Sequence, residues 1–109
     1  MELQPVRQSL DPRMFERVLI NFLMNARFAS PFGGTVTVRL THDELTVEDE
    51  GAGVRAEDRK TIWNVYVKQE GSAGHGLGLA ISRMILDSHQ FAYGVRDRSG
   101  GGAVFYVRF

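Results

Sequence analysis

The chain of 109 residues has no cysteine, which excludes disulfides and thiolate metal sites and suits a reducing compartment. It has no surplus of either charge. Thirteen Lys and Arg balance thirteen Asp and Glu, so no strong field draws it toward nucleic acid or anionic lipid. No apolar run approaches the roughly 20 residues that span a bilayer, and the polar opening Met1-Glu2-Leu3-Gln4 is not a secretion signal. The expected setting is cytoplasmic, without nucleic acid partners and without direct membrane contact, either alone or as the cytosolic part of a larger receptor. What the chain does have is glycine, twelve in all, many of them clustered after strands and before a helix. With 43% hydrophobic residues it reads as one domain, residues 1–109, with a single core.

Hydrophobic spacing predicts the elements. Residues 2–10 read as a short edge strand interrupted by Pro5. Asp11-Pro12 predicts a helix start, and Phe15, Val18, Leu19, Phe22, Leu23 and Ala26 share one side of a helix running to about Ser30. Pro31-Phe32-Gly33-Gly34 ends it. Alternating Val36, Val38, Leu40 and then Leu45, Val47 predict a hairpin over 35–41 and 45–49. A glycine turn follows, then a short helix over 56–64 and an irregular stretch over 65–76. A second helix is expected over 77–90, with Leu77, Ile81, Met84 and Ile85 on one side, and then two strands over 92–97 and 103–109. The expected fold class is a two-layer α/β sandwich (α+β). Its sheet is mixed and largely antiparallel, of about five strands, with the helices on one face.

Three features carry chemistry. Alternation points Asp49 inward with Leu45 and Val47, where a carboxylate costs several kcal/mol unless it finds donors. Gly51 and Gly53 follow, where the backbone turns or lets a ligand approach. Two readings are open: an acid satisfied by its own turn, or an acid facing a ligand pocket. Asn21 and Asn25, spaced i, i+4 beside the apolar stripe, form a polar line on the helix. They either cap loop backbone or offer side-chain oxygen to a hard cation such as magnesium. Gly74-His75-Gly76-Leu77-Gly78-Leu79 leads into a helix whose free amides and dipole favour an anion. It is neither a dinucleotide fingerprint nor a Walker loop.

Taken in order, these segments resemble the boxes of the ATP-binding catalytic domain of bacterial sensor histidine kinases, in the GHKL or Bergerat-fold superfamily. Asn21-Phe-Leu-Met-Asn25-Ala26 resembles the N box, and Asp49-Glu-Gly51-Ala-Gly53 the G1 box. The stretch from Ile62 to Lys68 is similar to the F box, with Val65 where proline is usual. Gly74 to Ile81 resembles the G2 box, and the likeness runs on to Gly102 and Phe105.

The resemblance implies ATP and Mg2+ as ligands. Asp49 would accept a hydrogen bond from the adenine amino group, and Gly51 and Gly53 would let the base lie against the backbone. Asn25 would coordinate magnesium, with Asn21 supporting it or the phosphates. Gly74, Gly76, Leu77 and Gly78 would form the phosphate turn, Lys68 would be a cation of the lid, and Trp63 and Tyr66 would fasten that lid. Arg27 and Phe28 stand near positions where the family has a cation and an aromatic.

The implied activity is donation of the γ-phosphoryl group to a histidine on a separate helical dimerisation domain of the same kinase, and indirectly to a response regulator. This chain would then be a piece of a longer kinase. His42, His75 and His89 read as ordinary surface residues, not as that acceptor. Hydrolytic members of the superfamily carry a glutamate four residues before the magnesium asparagine; Asn21 stands there instead, which favours a kinase. The alternatives are a serine-directed kinase of the anti-sigma-factor type and a degenerate nucleotide-binding scaffold.

Overall fold

The computed structural model describes residues 2–3, 11–30, 33–64 and 78–109. Asp11 begins the main helix as its sequence predicts: its carboxylate accepts from the Arg13 amide, and Pro12 occupies the first turn. This helix, α1, spans Pro12–Ala29 and buries Val18, Phe22 and Ala26, one residue per turn. It stops at Ser30, which is extended, with proline next in sequence.

Four strands join as antiparallel neighbours: β2 (Thr37–Leu40), β3 (Glu44–Glu48), β4 (Ala92–Asp97) and β5 (Ala103–Arg108). A two-residue strand, β1 (Glu2–Leu3), pairs parallel with β2, giving the order β1-β2-β3-β5-β4. The sheet is thus mixed and largely antiparallel with five strands, as the alternation predicts. Helix α2, Gly78–Ser88, packs beside α1 on the same face.

The core lies between these layers, where Phe22, Trp63 and Phe105 meet with ring centroids 5.7 to 5.9 Å apart. On the opposite face Tyr106 lies beneath the guanidinium groups of Arg96 and Arg108, at 5.1 and 4.6 Å.

Two expectations need correction, and Trp63 takes a defined place. The short helix over 56–64 is two 3-10 turns, Ala56–Asp58 and Thr61–Trp63. Only Ile62 and Trp63 are buried there, too few apolar anchors to hold a continuous helix against the core. Trp63 belongs to the core, while the lid it was expected to fasten lies outside the described residues. Trp63 is 4% exposed, lies 4.8 Å from Tyr93 by ring centroids, and donates its indole N–H to the Arg59 carbonyl. Met84, expected on the inner side of α2, is 67% exposed. The buried stripe runs instead through Leu79, Ser82 and Leu86, and position 84 falls on the other side of the helix.

Candidate functional site

Asp49 ends β3 on the inner face and is 1% exposed. Its Oδ1 accepts two backbone amides, Gly51 at 2.9 Å and Ala103 at 3.2 Å. Among the described residues both hydrogen bonds to the carboxylate fall on Oδ1, and none on Oδ2. The main chain is fixed as well, since the Asp49 amide donates to the Ala103 carbonyl at 2.9 Å. Half of the carboxylate therefore belongs to the turn, and half is left for something else.

The glycines around it are required by packing more than by the sequence motif itself. A Cβ on Gly51 would overlap the Ala29 carbonyl oxygen at the end of α1. Gly53 has φ +79° and lies against the Gly102 carbonyl. Gly102 was not singled out in the sequence as a site residue, although the Gly100-Gly101-Gly102 run was visible. Its φ is +105°, and a Cβ there would collide with the Asp49 carbonyl. Arg98, which opens this run, holds it down: its guanidinium donates to the Gly101 carbonyl at 3.1 Å and lies 3.9 and 3.6 Å from Glu48 and Glu50. An open groove of about 500 Å3 borders the same turn, lined by Gly53, Arg55, Arg59, Asp97, Arg98 and Gly102 among others. Arg59 is paired with Asp97 at 2.7 Å, and Asp49 does not line the groove.

The two asparagines differ. Asn21 is tied to α2: its Nδ2 donates to the Gly78 carbonyl at 3.1 Å and to Ser82 Oγ at 3.2 Å. Asn25 Nδ2 is buried and has no hydrogen-bond partner among the described residues. A buried amide left unpaired costs about 1–3 kcal/mol, which a ligand would recover. A half-turn of the same amide presents its oxygen instead, so Asn25 suits either a phosphate or a hard cation.

Contacts link these parts in sequence. Gly78 touches Asn21, Asn25 follows one turn later, and Ala29 abuts Gly51, which is bonded to Asp49. From Asn21 to Ala29 the helix rises about 12 Å. The structure thus brings Asn21, Asn25 and Gly78 and, through Ala29, Gly51 and Asp49 along one side of α1, while Gly53 lies against Gly102. Lys68, Gly74, Gly76 and Leu77, with Tyr66 and His75, lie outside the described residues.

Two histidines can be placed. His42 is exposed in the β2–β3 turn. His89 is more than a surface residue. It accepts the Asp11 amide on Nε2 at 3.1 Å, so its Nδ1 carries the proton and donates to the Ile85 carbonyl at 2.8 Å. That bond fastens the start of α1 to the end of α2.

Comparison with known proteins gives the class. Residues 10–109 match the family described as histidine kinase-, DNA gyrase B-, and HSP90-like ATPase. The chain is 35% identical over 109 residues to the sensor histidine kinase TmoS of Ectopseudomonas mendocina, covering 91% of this chain and 11% of that one. It is 37% identical over 103 residues to the histidine-protein kinase/phosphatase MprB of Mycobacterium sp. strain KMS, covering 84% of this chain and 20% of that one. Among solved structures, a mycobacterial sensor histidine kinase MprB superposes with a TM-score of 0.84 at 28% identity, over 99% of this chain and 80% of that one. Full-length ShkA in complex with AMPPNP superposes with a TM-score of 0.74 at 28% identity, over 98% of this chain and 25% of that one.

The chain belongs to the histidine kinase-, gyrase B- and HSP90-like ATPase family, as an ATP-binding catalytic domain of the sensor histidine kinase kind. It spans 11% and 20% of the length of the two curated relatives named.

Proposed function

We propose that this chain binds Mg-ATP and aligns its γ-phosphoryl group for transfer to a histidine on a helical dimerisation domain of the same, longer kinase. A response regulator would receive the group next. The observation that carries the reading is Asp49, a buried carboxylate whose Oδ1 takes two amides while Oδ2 meets no donor among the described residues. The exocyclic amine of adenine is a donor of the right kind for that oxygen. Support comes from the AMPPNP complex of the similar ShkA chain.

In this reading Asp49 and the Gly51–Gly53 turn hold the base. The amides of Gly74, Gly76, Leu77 and Gly78 would hold phosphate oxygens, and Lys68 would add a cation. Asn25 would hold magnesium through its amide oxygen. Among the described residues no three His, Cys, Asp or Glu side chains gather to bind a metal, so phosphates and water would complete the shell. When bound, the ion neutralises charge on the phosphates.

The acceptor imidazole nitrogen would attack phosphorus in line. The bond to the β,γ-bridging oxygen breaks, ADP leaves with the electron pair, and the ring N–H proton goes to solvent. This chain's part is alignment and the exclusion of competing water. Asn21, engaged with α2 through its amide nitrogen, is no base for activating water, which favours transfer over hydrolysis. A cytoplasmic location fits this role, and among the described residues no helix is long and apolar enough to cross a membrane.

Calorimetric titration of the chain with Mg-ATP tests the binding step. Micromolar to sub-millimolar affinity is expected, and absence of heat at millimolar nucleotide overturns the reading. Mixing the chain with a partner helical domain and labelled ATP tests transfer. Acid-labile label should appear on the partner and not on this chain.

A further inference from the structure

We propose that Asn21 and Ser82 form a positioning latch that sets where the start of α2 presents its amides to the phosphates. The proposal rests on the nucleotide reading above and changes the part given to Asn21: it acts through α2, and not as a direct ligand.

Ser82 is fully buried, and its hydroxyl donates to the Gly78 carbonyl at 2.9 Å. Such a bond back to the preceding turn is common for serine inside a helix and needs no further partner. Here the same hydroxyl also accepts from Asn21 Nδ2 at 3.2 Å, while Asn21 Nδ2 donates a second time to the Gly78 carbonyl at 3.1 Å. Both hydrogens of the Asn21 amide nitrogen are thereby occupied. The result is a closed triangle of three hydrogen bonds, one corner on α1 and two on α2.

Gly78 is the first described residue of α2, so the triangle grips the helix in its first described turn, toward the end where helix amides lack partners within the helix. A Cβ on Gly78 would lie 3.6 to 3.8 Å from Asn21 atoms, an ordinary contact, so the helix start rests directly on that side chain. One turn along α1 the buried Nδ2 of Asn25 has no partner. The latch therefore fixes the separation between the first described turn of α2 and the one orphaned side-chain amide among the described residues. Asp49 sits by the C-terminal end of α1, about 12 Å further along by helix rise, and shares no bond with the triangle.

A latch of this kind should matter to phosphates and not to the base. The test compares Mg-ATP with adenosine on the wild-type chain, Asn21→Ala, Ser82→Ala, the double variant and Ser82→Thr, with Kd values from NMR titration. Each single alanine should weaken Mg-ATP by about tenfold, roughly one lost hydrogen-bond network. The double variant should lose no more than either single one, because both break the same triangle. Ser82→Thr keeps the hydroxyl and should bind within about threefold of wild type. Adenosine affinity should not change in any variant.

Equal losses for adenosine and Mg-ATP, additive losses in the double variant, or unchanged Mg-ATP binding would each overturn the latch. Should Asn21→Ala not fold, Ser82→Ala carries the test alone, since it deletes a single oxygen. A wild-type chain that binds neither ligand overturns the nucleotide reading first, and the latch with it.

Discussion

At the Asp49 end of α1 the site is made of backbone. Two amides hold the carboxylate, a carbonyl–amide pair locks its main chain to Ala103, glycines at 51 and 102 leave no room for side chains, and Gly53 holds a positive φ. At the Asn21 end it is made of side chains, an asparagine and a serine meeting one carbonyl. Backbone geometry tolerates almost no substitution, because each added atom meets main chain that cannot move away. Side-chain geometry can be trimmed one atom at a time. The first arrangement suits a rigid, flat base, the second a group whose position can be tuned.

Several measurements would sharpen or break this contrast. The largest effect is expected from Asp49→Asn. The amide oxygen can keep both bonds from Gly51 and Ala103, while a donor replaces Oδ2 and, in the proposed reading, would face the adenine amine. Nucleotide affinity should fall at least about a hundredfold, some 3 kcal/mol, with the fold intact by circular dichroism. Normal binding would remove Asp49 from the adenine role.

Next, Gly102→Ala should lower stability by about 3 kcal/mol in chemical denaturation, from its φ of +105° and the collision with the Asp49 carbonyl. A mild loss would mean that the backbone end is softer than its geometry implies. The asparagines then separate the two ends. Without nucleotide, Asn21→Ala should cost about 1–2 kcal/mol, whereas Asn25→Ala should be neutral or stabilising, since it removes an unpaired buried amide. The same melting-temperature shift for both would erase the distinction.

Two further changes lie away from both ends and serve as controls. Gln90 has φ +60° after α2, where glycine is favoured, so Gln90→Gly should stabilise by up to about 1 kcal/mol and leave nucleotide binding unchanged. Burial, and then the hydrogen bond to Asp87, push the Tyr93 phenol up from 10.0 to about 12. The raised value favours the protonated phenol in the folded state. Its contribution is fully present below pH 10 and fades as pH rises toward 12, a slope that Tyr93→Phe should flatten in alkaline denaturation.

Much of this was legible in the residues. The periodicity of α1, its Asp11-Pro12 start, the hairpin and the inward direction of Asp49 all follow from local spacing. What stayed hidden depends on partners far away in sequence. Asn21 meets Gly78 across 57 positions, and Ala103 reaches Asp49 across 54, so no local pattern could show either bond. The core contacts of Trp63 were hidden for the same reason. Its neighbours Phe22, Tyr93 and Phe105 come from three other elements, and a two-residue apolar step gives no period to follow. Met84 shows a different limit, since several apolar residues on a short helix allow more than one choice of inner side.

Because Ala29 abuts Gly51 while Asn21 grips Gly78, the number of residues between these two contacts cannot vary. One residue inserted after Asn25 would rotate everything beyond it by about 100° and advance it by about 1.5 Å. Ala29 would swing away from its glycine, and the asparagine and the acid would no longer address the same molecule. Drift in this segment can change which side chains face water, but not how many residues it contains.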